Sequence, residues 1–120
     1  MDAYPKGGRL KEVPCPRGLD PSKIIAVIVR GESQAPMVTD GWLIFYGRDP
    51  EPDTVAVMGR LCVVKIEDGD VLLKQVKRGA IPGKFNLHSV NAPMIEDVAL
   101  EWAAPVRAML PPEMAEEAAA

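Results

Sequence analysis

The chain has 120 residues, of which 48% are hydrophobic and 26% are charged, and its formal net charge is −3. This size and composition fit one globular domain with a core of its own. The 12 prolines and 10 glycines argue against a helical bundle, and 5% aromatic residues provide few stacking platforms for single-stranded nucleic acid. An acidic chain without a long basic block is also a poor candidate for a free-standing DNA- or RNA-binding domain.

The sequence contains no clear pattern for a membrane segment, a disulfide or a metal site. The longest apolar run near the start, Ile24–Val29, is far shorter than a membrane span, and no apolar leader precedes it. The two cysteines, Cys15 and Cys62, fit no disulfide pattern, and the lone His88 does not complete a zinc site with them. We therefore expect a cytoplasmic protein with reduced thiols, no metal, no cofactor and no membrane partner.

The first part of the chain predicts two strands after an irregular leader. Residues 1–22 are rich in proline and glycine, which predicts an extended leader without packed structure. The β-branched run Ile24–Arg30 predicts a buried strand, and Trp42–Tyr46 predicts a second one. Between them, residues 31–36 break the first strand and Asp40-Gly41 indicates a turn.

The second part predicts a hairpin followed by shorter strands. Arg60–Ile66 and Val71–Lys77 flank Asp68-Gly69, which is the strongest hairpin pattern in the chain. Lys84–Ser89 predicts a short strand, and the apolar segment Val98–Leu110 predicts one bent strand or two short ones.

Short strands separated by frequent turns, without a convincing amphipathic helix, predict a mainly β fold. We expect a curled antiparallel sheet or a partly open barrel. The predicted organisation is a leader over 1–22, one β domain over 23–111 and a flexible tail over 112–120.

Ser33 is the first candidate for chemistry. It follows the first predicted strand directly and lies between Gly31 and Pro36, in a segment that cannot be regular. A serine at a strand end, beside a glycine that turns backbone N–H groups outward, has a reasonable geometry for a nucleophile. The alternative is a solvated turn serine.

Lys74 is the second candidate, because in a strand it shares one face with Leu72 and Val76. An apolar setting desolvates a lysine, and a general base needs its pKa lowered from about 10.4 towards about 7. The alternative is an edge-strand lysine whose ammonium reaches water. If the fold brings Ser33 and Lys74 together, they make a Ser–Lys dyad in which lysine is the base for the hydroxyl.

Two rival bases remain open at this point. Lys65 lies in an apolar run near the turn Glu67–Asp70, where we expect it to face solvent. His88 could join Ser33 and an aspartate in a Ser-His-Asp arrangement, although a lone histidine in a short strand more often has a structural role.

Two motifs in a defined order carry a family resemblance. The run Val29–Pro36 (VRGESQAP) is followed by Asp40-Gly41, and later Val71–Arg78 (VLLKQVKR) is followed by Phe85–Pro93 (FNLHSVNAP). These segments resemble the LexA-like self-cleaving peptidase domains, which form the C-terminal halves of LexA, of phage-type repressors and of UmuD proteins. The family patterns are Val-x-Gly-Asp-Ser-Met-x-Pro, then Asp-Gly-Asp, and Leu-x-Ser-x-Asn-x after the lysine strand. The resemblance extends from about Glu12 to about Pro111.

The resemblance implies a serine endopeptidase with Ser33 as nucleophile and Lys74 as general base. It implies an oxyanion hole at the main-chain N–H groups of Gly31, Glu32 and Ser33. It also implies a substrate groove bordered by Gln34, Pro36 and Trp42. Family members are cytoplasmic homodimers that cleave their own linker, often promoted by the RecA filament, and they contact DNA through a separate helix-turn-helix half.

The sequence departs from the family pattern at several points. Gln34 replaces the usual methionine, Trp42 replaces the second aspartate of Asp-Gly-Asp, and Glu32 replaces aspartate conservatively. No helix-turn-helix precedes Ser33, and the family's Ala-Gly or Cys-Gly cleavage dipeptide is absent, Gly7-Gly8 being the nearest pair. We therefore expect the product half of a longer protein, a shortened form, or a stand-alone relative that acts in trans or as a partner.

The resemblance and the departures from it imply three candidate functions. The first is a peptidase domain of a LexA- or phage-repressor-type regulator, which cleaves one bond in its own or a partner's linker during an SOS-type response to DNA damage. The second is a dimerisation and signal-receiving module with an impaired dyad, motivated by Gln34 and Trp42. The third, a membrane enzyme similar to signal peptidase, is disfavoured because the sequence offers no membrane anchor.

Overall fold

The computed structural model describes residues 2–5, 16–49 and 55–114 of the chain. The described residues include eight strands, one 3₁₀ turn at Val55–Val57 and a short helical segment at residues 112–114. The strands are β1 (Asp2–Pro5), β2 (Ile24–Arg30), β3 (Leu43–Gly47), β4 (Leu61–Ile66), β5 (Val71–Arg78), β6 (Phe85–His88), β7 (Ile95–Val98) and β8 (Leu100–Leu110). Within these ranges, no helix has the length and apolar character needed to cross a membrane.

The eight strands form one antiparallel sheet with the order β1-β2-β3-β8-β4-β5-β6-β7. One residue pair, Asp2 opposite Leu72, also joins β1 to β5, so the sheet curls back towards its other side. The other pairings of β5 are to β4 and β6, and β6 and β7 continue the sheet beyond this junction. The predicted fold class, a mainly β chain with a curled antiparallel sheet, is confirmed.

The β4–β5 hairpin forms where the sequence predicts it. Gly69 has a φ of 104°, a conformation that glycine adopts without the steric cost of a Cβ. Its N–H donates to the Ile66 carbonyl at 2.9 Å, and the Ile66 N–H donates to the Asp70 carbonyl at 3.0 Å. The Asp-Gly pair therefore closes the turn in the predicted way.

The leader differs from its prediction at its first residues. Asp2–Pro5 is strand β1 and pairs with β2 from Asp2 opposite Arg30 to Pro5 opposite Val27. The expectation of unpacked structure throughout residues 1–22 is therefore wrong for this segment. Strand pairing satisfies main-chain N–H and C=O groups, and it does not require the β-branched composition that the prediction relied on. The rest of the leader up to residue 15 lies outside the described residues, as do residues 115–120 of the tail.

The core consists of two apolar clusters. Neighbouring residues of a strand point to opposite faces of the sheet and therefore join different clusters. The first contains Val27, Val29, Val38, Ile44, Tyr46, Val63, Leu73 and Ala104. The second contains Val57, Cys62, Val64, Ile66, Leu72, Val76, Leu87 and Ala103. On β5, Leu73 belongs to the first cluster, whereas Leu72 and Val76 belong to the second. Apolar packing on both faces of β5 thus encloses a polar side chain placed midway along it.

Candidate active site

The fold brings Ser33 and Lys74 into contact. The Lys74 Nζ donates a hydrogen bond to the Ser33 Oγ at 3.3 Å, although the two residues are 41 positions apart in the sequence. Lys74 is 2% exposed and Ser33 is 7% exposed. The geometry that a Ser–Lys dyad requires is therefore present, while the catalytic roles of the two residues stay a prediction.

The surroundings of Lys74 exclude water. Its neighbours on the same face of β5, Leu72 and Val76, are buried, as the alternation of the sequence predicts. Its partner across the hairpin is Cys62, which is fully buried. Burial raises the pKa of the Cys62 thiol to about 11, against a smaller opposing effect of the Arg60 charge. The same loss of hydration that disfavours a thiolate here also disfavours a charged ammonium.

Ser89 is a site residue to which the sequence analysis gave no role. The Lys74 Nζ donates to the Ser89 Oγ at 2.7 Å, a shorter contact than the one to Ser33. Ser89 directly follows β6 and lies two residues after the fully buried Leu87. The Leu-x-Ser-x-Asn pattern contains the signal for it, because alternate residues of an extended segment share one face.

The turn at residues 31–33, called the nucleophile turn because it carries Ser33, is held by hydrogen bonds on two sides. The Gly31 N–H donates to the Asp40 Oδ1 at 2.8 Å, and Gly31 has a φ of 88°, which favours glycine. On the other side, the Asn91 N–H donates to the Ser33 carbonyl at 2.7 Å. The Asn91 Nδ2 also donates to the Glu32 carbonyl at 3.2 Å. Asp40 and Asn91 thus hold the backbone on which Ser33 is presented.

These contacts correct the predicted oxyanion hole at one position. The Gly31 N–H is engaged by the Asp40 carboxylate, so it is not free to bind an oxyanion. Among the described residues, the N–H groups of Glu32 and Ser33 have no hydrogen-bond partner. An oxyanion hole at this turn would therefore use Glu32 and Ser33, while Gly31 provides the sharp turn that directs them.

The predicted groove residues have different surroundings. Gln34 is 1% exposed, Pro36 is exposed, and Trp42 is half-buried and packs against the first core cluster. An open pocket of about 360 Å³ includes Ser89, the hydrogen-bond partner of Lys74, in its lining, but neither Ser33 nor Lys74. Its lining residues are Gln34, Met37, Leu61, Gln75, His88, Ser89 and Val90. Gln34 therefore borders this pocket, whereas Pro36 and Trp42 lie outside its lining.

The two rival bases lie elsewhere or lack the required contact. The Lys65 side chain is 34% exposed, and its Nζ lies 3.6 Å from the Glu101 Oε2. His88 lines the pocket, but in the part of the chain that the structure describes it makes no hydrogen bond to Ser33. No group of three His, Cys, Asp or Glu side chains suited to a metal ion occurs among the described residues. The geometry favours Lys74 over both rivals.

Comparison with known proteins gives one finding at the level of family. A family model described as Peptidase S24-like matches residues 3–104. The search of curated proteins and the search of solved structures found no match. The matched range contains Ser33, Lys74 and Ser89, together with most of the sheet.

Proposed function

The chain belongs to the Peptidase S24-like family, which includes the LexA- and UmuD-type peptidase domains, and we propose that it is a serine endopeptidase with a Ser33–Lys74 dyad. One observation carries the proposal: a buried lysine amine lies 3.3 Å from the hydroxyl of a serine at the end of a strand. A lysine whose charged form is disfavoured by burial can act as a general base, since its neutral amine has a free lone pair.

The first half of the reaction transfers the acyl group to the enzyme. The Ser33 Oγ attacks the carbonyl carbon of the scissile peptide bond, and its proton moves to the Lys74 Nζ. The N–H groups of Glu32 and Ser33 stabilise the oxyanion of the tetrahedral intermediate. When the peptide bond breaks, the Lys74 ammonium returns the proton to the leaving amine, and Ser33 remains as an ester.

The second half regenerates the enzyme. Water enters in place of the departed amine, and neutral Lys74 removes a proton from it as it attacks the ester carbonyl. Collapse of the second intermediate releases the carboxyl product, and the Ser33 Oγ recovers a proton from Lys74. Throughout, Ser89 accepts one Lys74 N–H. This contact turns the lone pair of the amine towards Ser33.

The substrate we propose is one bond in a linker, either that of this chain's own parent protein or that of a partner. Ser33 is 7% exposed, which suits selective cleavage of a docked segment and disfavours general digestion. In this proposal the domain acts in a cytoplasmic LexA- or phage-repressor-type regulator. There it forms a homodimer and is activated by a RecA–single-stranded-DNA filament in an SOS-type response. DNA contact belongs to a helix-turn-helix half.

The dimer surface in this proposal is a face of the sheet. Strand β8 pairs with β3 on one side and β4 on the other, so its main chain is engaged along both edges. A second copy would therefore contact its outward side chains, among which Met109 is 38% exposed.

A second function is favoured by the buried amide at Gln34, where the family pattern has methionine. In that alternative the same fold is a dimerisation and signal-receiving module whose dyad has lost activity. The two functions differ in whether the folded chain hydrolyses any peptide bond.

The experiment that separates them requires no knowledge of the scissile bond. The purified chain is incubated with a diverse peptide library between about pH 6 and about pH 10, where a lysine base gains its lone pair. New peptide termini and the intact mass of the chain are read by mass spectrometry. The peptidase produces a consistent set of new termini that is absent with Ser33→Ala. The same termini with both proteins, or none with either across the pH range, would reject the peptidase in favour of the module.

A further inference from the structure

The side chain of Gln34 joins the three segments that carry the site. Its Nε2 donates to the Leu73 carbonyl at 3.0 Å, and its Oε1 accepts the Val90 N–H at 3.2 Å. Gln34 itself follows Ser33, while Leu73 precedes Lys74 and Val90 follows Ser89. One buried amide is therefore bonded next to every member of the hydrogen-bonded trio Ser33, Lys74 and Ser89.

The strand register explains why an amide fits at this place. The β5–β6 ladder pairs Val76 with Leu87 and Gln75 with His88, and it ends there. Continued by two residues, the same register would place Lys74 opposite Ser89 and Leu73 opposite Val90. If the ladder continued in this way, the Leu73 carbonyl would accept a hydrogen bond directly from the Val90 N–H. Instead, the Gln34 amide is inserted between the Leu73 carbonyl and the Val90 N–H, in the position of an additional peptide group.

We infer that Gln34 is a positioning residue that holds β5 and the segment after β6 apart at the distance the dyad needs. This inference rests on the proposed function, because it concerns the geometry of Lys74 between Ser33 and Ser89. The neutral amine must donate an N–H to Ser89 and direct its lone pair at Ser33 at the same time. A change in the separation of the two segments moves Ser89 relative to Lys74 and alters both contacts.

The chemistry of the side chain makes the role specific to an amide. A primary amide has a donor and an acceptor on one planar group, which is what a carbonyl on one side and an N–H on the other require. Methionine at this position offers neither, so the Leu73 carbonyl and the Val90 N–H must either bond to each other or stay unsatisfied in a buried place. Either outcome changes the segment that carries Ser89.

The test uses Gln34→Met in the full chain, with Asn86→Leu as the matched control. Asn86 also accepts a main-chain N–H through its side chain, that of Asp97 at 2.9 Å, but it does so between β6 and β7. Two readouts are independent of activity: hydrogen exchange of the Val90 N–H, and the NMR titration midpoint of Lys74. We expect Gln34→Met to change Val90 exchange about tenfold and to move the Lys74 midpoint, while Asn86→Leu changes neither.

The kinetic readout uses a peptide found in the library experiment. We expect Gln34→Met to lower kcat by about tenfold to about a hundredfold with little change in KM, because the residue positions the base and not the substrate. An unchanged Lys74 midpoint and unchanged Val90 exchange would overturn the inference, whatever the activity. An inactive wild-type chain whose Lys74 midpoint still moves in Gln34→Met would reject the proposed function and support the positioning role. If Gln34→Met does not fold, Gln34→Asn keeps an uncharged donor and acceptor on a side chain one methylene shorter, which cannot reach the Leu73 carbonyl and the Val90 N–H as Gln34 does, and the same NMR criteria apply.

Discussion

The two ends of the β4–β5 hairpin place the same residue type in opposite environments. Near the turn, Lys65 has a side chain that is 34% exposed and pairs with Glu101. At the inner end, Lys74 is 2% exposed and contacts the hydroxyls of Ser33 and Ser89. Both lysines lie in apolar runs of the sequence. Position along the hairpin, and not the local run of residues, therefore separates a solvated cation from a candidate base.

The difference has a structural cause in what faces each lysine. Lys74 is directly opposite the fully buried Cys62, and the nucleophile turn closes over its amine. Lys65 is one residue from the end of β4, next to the exposed turn at residues 67–70. Lys74 is therefore almost completely shielded from solvent, whereas about a third of the Lys65 side chain is exposed.

The largest expected effect comes from replacing each lysine with methionine, which keeps the apolar stem and removes the amine. We expect Lys74→Met to lower kcat/KM for a library-derived peptide by at least about a thousandfold, since it removes the general base. Lys65→Met should stay within about twofold of the wild type, because its charge is solvated and outside the site. Cleavage rates per folded molecule, with folding checked by circular dichroism, make the measurement. Equal losses in the two variants would contradict the assignment of the base.

The second prediction concerns the exclusion of water from the inner end of the hairpin, which the pH dependence of stability can test. Burial raises the pKa of the Cys62 thiol from 9.0 to about 11, so the folded chain keeps a proton that the unfolded chain loses. The stability that the folded chain gains by keeping this proton is fully present below about pH 9. The free energy of unfolding should fall by about 2 kcal/mol as the pH rises to about 11. Urea titrations at several pH values measure this dependence.

The control for this effect is Cys62→Ala. Burial also raises the pKa of Tyr46, which ionises in the same range and lowers stability in the same direction. The informative quantity is therefore the difference in slope between the wild type and Cys62→Ala, in which the lost volume adds an offset that does not depend on pH. Parallel slopes would indicate that the thiol ionises as easily in the folded chain, and that the surroundings of Lys74 are wet.

The sequence predicted the parts of this fold that depend on local patterns. The Asp68-Gly69 turn and the alternation of Leu72, Lys74 and Val76 on β5 depend on neighbours in the chain, and the structure agrees with both. Strand β1 was missed because its pairing uses main-chain groups, which side-chain composition does not report.

The site was harder to predict because its contacts join distant segments. Ser33 and Lys74 were selected by strand position and by resemblance, but their 3.3 Å contact depends on the curl of the sheet. Ser89 received no role, since its function depends on being opposite Lys74 beyond the end of the β5–β6 ladder. The engagement of the Gly31 N–H by Asp40 is likewise a contact between loops that no local pattern reports.

The smallest expected effect concerns the solvated end of the hairpin. Lys65 and Glu101 are 3.6 Å apart with side chains 34% and 53% exposed, so water and salt screen their attraction. A double-mutant cycle with Lys65→Met and Glu101→Gln should give a coupling free energy of about 0.5 kcal/mol or less, which weakens further in high salt. A coupling above about 2 kcal/mol that persists in high salt would mean that this end is also shielded from water. The two lysines would then differ in their partners, since only Lys74 contacts the Ser33 and Ser89 hydroxyls, and not in their exposure to water.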